Sequence, residues 1–365
     1  MIEFAHGWRF FVGVALFSLT AVHRSAAQAD RGSLAALVSA VSYGVPASPA
    51  FELLPGQPSD VVHVVTPADF RAHLASWVVG GALQNGVGFD LRPFVGTVGS
   101  LRDYQTHPRR QILWRTVASM GTAPLAKGSS DMLVSGGFRI PLIDRGDPRA
   151  DTDFISDLEA AYRRGLGSLQ PEIPESTPDP ALKARFAAAS ESADVQRKKF
   201  TDQHWNARKL DFGIAGALRA AGGHLDPQNL SGNRAGIWLA FVQPLGNSLE
   251  WTTSGKQIWV RPDSTSSETS RSAVGTRLRL FRADRFGISG EAAFLWSRYS
   301  HNTAKNDQWS HMAVLAEIPG ASLLGWLKGS WIGVGYGGDV GHKGGSDNSL
   351  SFQYSVYTNR ILKDK

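Results

Sequence analysis

A serine and two histidines near residue 310 are the residues of this chain best suited to catalysis. Asp307, Ser310 and His311 lie close to His301, and a Ser–His pair supplies the nucleophile and general base of lipid and ester hydrolases. Adjacent residues of a strand point to opposite faces, so Ser310 and His311 cannot pair directly, and His301 is the candidate base across a hairpin. A hydrolase is therefore one alternative function, and polar loop residues are the other interpretation.

A glycine motif between residues 333 and 338 matches the letters of a dinucleotide-binding loop, G-x-G-x-x-G. That loop must lie between a strand and a helix. Here apolar residues continue to alternate with glycines through the motif, which predicts a strand instead. The chain contains no P-loop, H-E-x-x-H or EF-hand pattern. We therefore expect no cofactor and no metal, and no catalytic residue is assigned.

The elements that would position any site are segments of about ten residues in which every second side chain is apolar. Charged or small residues occupy the intervening positions, so each segment would present one apolar and one polar face. This pattern is typical of strands between lipid and a polar lumen. The clearest apolar sets are Leu210, Phe212, Ile214 and Leu218, and Phe286, Ile288, Ala292, Phe294 and Trp296.

The composition excludes several classes of protein. The 365 residues contain no cysteine, so neither a disulfide framework nor a thiolate metal site is available. The net charge of +6 is spread along the chain, and no nucleic-acid-binding motif accompanies it. Beyond the N-terminus no stretch is apolar enough for a membrane-spanning helix.

The N-terminus resembles an export signal. Arg9 precedes an apolar run from Phe10 to Val22, and Ala27-Gln28-Ala29 provides small residues for cleavage. Cleavage would lower the net charge to +5. We predict a signal peptide (1–29), a periplasmic N-terminal segment (30–71), the first barrel strands (72–142), a helical insertion (143–204) and the remaining barrel strands (205–365).

The predicted fold class is all-β: an antiparallel transmembrane β-barrel of about 12 strands with the helical insertion between strands 4 and 5. In the insertion, apolar residues recur at helical spacing after a cap at Asp151 or Thr152, and a second helix follows a proline-rich break. The strands are expected near 72–83, 86–95, 110–120, 130–142, 206–220, 233–244, 256–262, 272–282, 285–299, 308–318, 328–338 and 348–360.

Charged residues at polar positions of these strands are the candidate lumen lining. They would either line a pore, whose basic excess favours anions, or pair across strands and fill a narrow barrel. The alternation leaves both interpretations open. The candidates are Asp90, Arg92, Arg115, Asp131, Arg139, Lys209, Asp211, Arg219, Arg277, Arg279, Glu291 and Glu317.

One N-terminal stretch carries a family resemblance. Ser48-Pro-Ala-Phe-Glu-Leu-Leu-Pro-Gly56, Thr66-Pro67 and Gln84-Asn-Gly-Val-Gly-Phe-Asp-Leu-Arg-Pro-Phe94 resemble the start of a family of largely uncharacterised bacterial outer-membrane β-barrel proteins. The resemblance implies a barrel fold and an outer-membrane location, and it implies no catalytic residue, substrate or cofactor. The chain departs from such barrels at its end, since Lys365 stands where a terminal Phe or Trp is usual.

The sequence thus predicts a non-enzymatic, porin-like protein of the bacterial envelope, serving passive transport or a structural role. Its expected partners are outer-membrane lipids and the barrel-insertion machinery, and no nucleic acid. Two alternatives remain: an outer-membrane lipid or ester hydrolase, and a secreted soluble β-protein that binds carbohydrate or a protein partner.

Overall fold

The computed structural model describes residues 44–56, 60–64, 78–79, 82–95, 100–166, 180–262, 268–282, 286–300, 306–319, 330–341 and 351–358. All of them belong to one compact unit, residues 35–365. The predicted signal peptide lies outside the described residues.

The described part of the chain is mostly β. The strands are β1 (Asp60–Val64), β2 (Val78–Val79), β3 (Ala82–Leu83), β4 (Val87–Leu91), β5 (Val117–Pro124), β6 (Met132–Asp144), β7 (Lys209–Ala220), β8 (Leu230–Pro244), β9 (Leu249–Val260), β10 (Glu268–Arg282), β11 (Phe286–Tyr299), β12 (Asp307–Pro319), β13 (Ser330–Val340) and β14 (Ser351–Thr358). The main sheet has the order β1-β4-β5-β6-β7-β8-β9-β10-β11-β12-β13-β14. Sequential neighbours from β4 onward are antiparallel, as the alternation predicts.

Strand direction bears on barrel closure. Among the described residues no pairing joins the two outer strands, so the sheet is open there. β1 lies parallel to β4. Since β4 and β14 are separated by an unbroken antiparallel series, they run in the same direction and could meet only in parallel. A closed barrel of about 12 antiparallel strands therefore stays a prediction. The first predicted strand, 72–83, is not part of the main sheet. Its described residues form β2 and β3, which pair with each other in a separate two-stranded sheet.

The predicted strand 110–120 is wrong in its first half, where the structure has helices. Helix α1 (Leu101–Thr106) begins at Ser100, whose hydroxyl accepts from the Asp103 amide. Helix α2 (Pro108–Arg115) follows, and β5 begins only at Val117. Pro108 occupies the first turn of α2, where its missing N–H costs nothing. That proline is the sequence signal that indicates a helix here.

The stretch predicted as a helical insertion contains α3 (Thr152–Leu166) and α4 (Pro180–Gln203). The predicted cap at Asp151 is confirmed, since its carboxylate accepts from the Phe154 amide at 2.8 Å. The helices pack through Phe154 and Phe200, whose ring centroids lie 4.5 Å apart. Gly165 allows their close approach, because a Cβ there would lie 2.3 Å from Ala189 Cα. No helix in the described ranges is long and apolar enough to cross a membrane.

The insertion connects the last residue of β6 to the first residue of β7, so both of its ends lie at one end of the sheet. We call this the helical end. There Trp205 Nε1 donates to the Asn247 carbonyl at 3.1 Å and Asn206 Nδ2 to the Gly246 carbonyl at 2.7 Å. These bonds tie the chain after α4 to the β8–β9 turn. The opposite end, where β5 ends and β6 begins, is the loop end.

The two faces of the sheet have an inverted polarity. Apolar side chains alternate along β6 to β12 on a face exposed to the surroundings, the apolar face. They are contiguous across strands: Phe138, Ile214 and Ile237 are register partners on β6, β7 and β8. The buried face, the polar face, carries hydroxyl and charged side chains. In a protein folded in water the apolar side chains would occupy the buried face.

Candidate functional site on the polar face

Buried polar residues concentrate on the polar face of β9 to β12. In β11 the buried positions include Ser289, Glu291 and Ser297, while Ile288 and Phe294 on the opposite face are nearly half exposed. In β12, Asp307, His311 and Glu317 are buried. Buried carboxylates require cationic or hydrogen-bonding partners, so the arrangement of charges decides what this face can do.

Arg279 and Glu317 form the closest ion pair of this region. Arg279 Nη2 on β10 donates to Glu317 Oε2 on β12 at 2.6 Å, and the two side chains are 16% and 5% exposed. The pair reaches across β11 at Gly287, where a Cβ would lie 2.8 Å from Glu317 Oε2. The guanidinium also lies over Phe281, 4.7 Å from the ring centroid. The glycine in β11 therefore makes the contact sterically feasible.

Arg277 lies between two buried glutamates. Its guanidinium is 3.9 Å from Glu250 Oε1 on β9 and 4.0 Å from Glu291 Oε1 on β11. Glu250 was not among the predicted lining residues, although it occupies a polar position of the alternating β9 segment. With Arg279 and Glu317, the set contains three carboxylates and two guanidinium groups. We call Glu250, Arg277, Arg279, Glu291 and Glu317 the charge network.

Two further predicted lining pairs meet across strands. Arg139 Nη2 donates to Asp211 Oδ2 at 2.6 Å between β6 and β7. At the loop end Arg219 Nε donates to Asp131 Oδ2 at 2.9 Å, and the Gly222 amide donates to the other oxygen. The Gly222 amide, followed by Arg219, holds the pKa of Asp131 below its ordinary value. Asp131 lies just before β6 rather than within it.

Four other candidates have different surroundings. Arg92 follows β4 and is exposed, and Lys209 begins β7 in register with Asp144. Asp90 on β4 accepts a hydrogen bond from the Ser48 hydroxyl at 2.6 Å. Arg115 lies at the end of α2 rather than on a strand, so its predicted strand position is wrong. The predicted lining residues Arg139, Arg219, Arg277 and Arg279 each lie within 4 Å of a carboxylate, which reduces the basic excess that would favour anions.

Residues 44–54, which we call the inner segment, cover the polar face of β4 to β8. Val45 and Leu53 pack with Ala215, Ala217 and Trp238 in one buried cluster, and Leu54 packs with Ala123 and Leu133 in another. Three glycines leave room for the segment. A Cβ at Gly213 would lie 2.6 Å from Val45 Cγ1, at Gly137 3.0 Å from Ala50 N, and at Gly121 3.0 Å from Phe51.

Hydrogen bonds fix the inner segment in register with the strands. The Ala50 amide donates to Ser119 Oγ on β5 at 3.0 Å, and Arg234 on β8 donates to the Leu53 carbonyl at 2.9 Å. Sequence reasoning did not predict this packing. The small residues at alternate positions of β7, namely Gly213, Ala215 and Ala217, were the available signal, since they leave space that a second segment must fill.

A buried carboxylate attaches α1 and α2 to the end of β6. Asp147 accepts from the Tyr104 hydroxyl and from Arg149 Nε, the latter at 2.8 Å. Arg115 Nη1 lies 3.7 Å from Asp147 Oδ2, and the Arg149 guanidinium lies 4.0 Å from the Trp114 ring centroid. Burial opposes ionisation of Asp147, but the bonds from Arg149 and Tyr104 outweigh it and lower its pKa. Burial, followed by the bond to Asp147, raises the pKa of Tyr104.

We expect this contact to weaken in acid. Because the pKa of Asp147 is lower in the folded state, its ionisation stabilises the fold above its ordinary pKa of 3.8, and this contribution is lost as the pH falls below that value. Asp147→Asn should remove the dependence and increase hydrogen exchange in residues 100–116 at neutral pH. Hydrogen exchange measured at several pH values checks this.

Asp103→Asn on α1 is the matched control. Asp103 pairs with Arg110 and His107 at the exposed surface, where ion pairs contribute about 0–1 kcal/mol. Equal exchange in the two variants would contradict the assignment of Asp147 as the anchor of α1 and α2.

The catalytic candidates remain separated. His311 is buried on the polar face, whereas Ser310 is half-buried at a position of the apolar face, as the alternation predicts. His301 lies outside the described residues. The glycine motif lies inside β13, hydrogen-bonded to β12 and β14, so the prediction of a strand there is confirmed. The described part of the chain contains no cluster of three acidic, histidine or cysteine residues able to hold a metal.

The geometry provides a polar interior with paired charges, a covering segment and an exposed apolar exterior. No protein-family model matches the chain, and no curated protein matches it either.

Proposed function

We propose that this chain is a bacterial outer-membrane β-barrel protein, exported by a cleaved signal peptide and acting without enzymatic activity in the envelope. The observation that carries the proposal is the inverted polarity of the sheet. Phe294 and Val314 are about half exposed on one face, while Glu291 and Glu317 are buried on the other. In a membrane barrel the apolar face would contact lipid, and the face with the buried carboxylates would line the polar interior.

The described strands fit the geometry of such proteins. Strands β7 to β13 have 11 to 15 residues each. A tilted β-strand needs about 9–11 residues to cross the hydrocarbon core of a bilayer, so these strands are long enough. Exposed Trp251 and Trp259 lie near opposite ends of β9, as aromatic residues at the two lipid–water interfaces would.

Between the two roles that the sequence predicts, the inner segment and the paired charges favour a structural role or restricted transport over a wide pore. An open pore would expose its lining to water, whereas Asp211, Glu250 and Glu317 are all buried. The family resemblance at residues 48–95 supports the location and stays a proposal.

Membrane fractionation tests the location. We expect the protein to stay in the membrane pellet during carbonate extraction. Its electrophoretic mobility in detergent should change on heating, because a folded barrel resists unfolding at room temperature. Release by carbonate, together with mobility unaffected by heat, would favour the secreted soluble alternative.

A further inference from the structure

The contacts between the inner segment and the described strands lie on the polar face of the sheet. The direct partners of the segment are Asp90 on β4, Ser119 and Gly121 on β5, Gly137 on β6, Gly213 on β7 and Arg234 on β8. The contacts extend over five neighbouring strands. At about 4.8 Å per strand spacing, this is a width of roughly 19 Å.

The sheet does not depend on the inner segment for its own hydrogen bonds. The strands β4 through β8 stay paired where the segment lies, with one register shift between β7 and β8 beside Ala217 and Arg234. The segment itself forms a single 3-10 turn, Phe51–Leu53. Its hydrogen bonds to Asp90, Ser119 and Arg234 each involve a side chain of the sheet. The segment can therefore leave the polar face without breaking a strand pair.

Departure of the segment would uncover a channel wall of small residues. Gly121, Gly137 and Gly213 lie under it, and a Cβ at each would meet it within about 3 Å. By contrast, the charge network on β9 to β12 lies outside these contacts of the segment. Over β4 to β8 the interior is therefore occupied by the inner segment. Over the charge network it is occupied by side chains of the strands themselves.

We infer that the inner segment, residues 44–54, is an internal plug, and that its displacement opens a path for small solutes along the polar face of β4 to β8. This inference rests on the proposed barrel. The segment excludes water from Gly137 and Gly213 when it is seated and admits water there when it is released. The plug thereby sets the permeability.

A cysteine pair tests the seating, and the absence of native cysteine makes the assay clean. In Val45→Cys/Gly213→Cys, the Val45 Cγ1 to Gly213 Cβ distance of 2.6 Å places the two Cβ atoms within disulfide range. We expect the purified protein to form the bond with mild oxidant. Val45→Cys/Ile214→Cys is the matched control, because Ile214 is the next residue on the opposite face and should not react.

Conductance in planar lipid bilayers tests the opening. The oxidised Val45→Cys/Gly213→Cys protein should conduct several-fold less than the same protein after reduction, and the control pair should show no redox dependence. Leu53→Ser/Leu54→Ser, which removes two buried anchors, should raise conductance without cross-linking. If that variant does not fold, the redox comparison decides alone.

The outcomes separate the two proposals. A protein that inserts into membranes but forms no 45–213 disulfide overturns the plug and leaves the barrel standing. A disulfide with equal conductance in both redox states also overturns the plug. A protein that forms the disulfide in detergent but is released by carbonate contradicts the barrel, and with it the channel.

Discussion

Replacing Arg279 with methionine is expected to lower the free energy of unfolding by about 3–5 kcal/mol, since it leaves a buried carboxylate without its cation. Glu317 is only 5% exposed and accepts from Arg279 at 2.6 Å. Methionine retains part of the packing against Phe281, so the loss reports mainly on charge. Urea unfolding of the protein in detergent micelles, followed by tryptophan fluorescence, measures the change.

The double variant Arg279→Met/Glu317→Met is the control for this prediction. Replacing both members of a buried ion pair with apolar residues of similar volume is often close to neutral, so the double variant should regain most of the lost stability. If the single and double variants were equally destabilised, the charge pair would not be the cause. The same experiment would then indicate a packing role for Arg279.

Replacing Val314 with lysine is expected to destabilise the membrane-inserted protein by about 2–4 kcal/mol, the cost of a cation at the bilayer midplane. Val314 is near the middle of β12 and 55% exposed on the apolar face. In water the same substitution at an exposed site would change stability by only about 0.5 kcal/mol in either direction. Reversible folding into lipid vesicles measures the difference.

Ile318→Lys provides the depth control on the same strand and the same face. Ile318 lies at the end of β12, where an interfacial lysine costs about 0–1 kcal/mol. A larger loss at 314 than at 318 supports a strand that crosses lipid. Equal and small losses at both positions would contradict a lipid-facing surface and favour a soluble protein.

The strands of the main sheet were largely predictable from the sequence, and the reason is local. The alternation of Ile288, Phe294 and Trp296 with Ser289 and Glu291 depends only on the geometry of a single strand. The same holds for the cap at Asp151, which lies three residues from its partner amide. The helix at 108–115 was missed because its residues have no clear apolar stripe, and only Pro108 marks its start.

The contents of the polar face were not predictable in the same way. Ala50 and Ser119 are 69 residues apart in sequence, and Arg234 and Leu53 are 181 apart. No periodicity connects such residues. Their meeting depends on strand register and on the space that Gly121, Gly137 and Gly213 leave open. Likewise, Arg139 could be assigned to the polar face, but its pairing with Asp211 required the β6–β7 register.

By itself the sequence determined which residues share a face and that one face is apolar, because a period of two is a property of each strand alone. Only the tertiary structure decided that the apolar face is the exposed one, that the charges pair, and that residues 44–54 cover the interior. Those features depend on burial and on contacts between distant segments, which exist only once the strands have assembled.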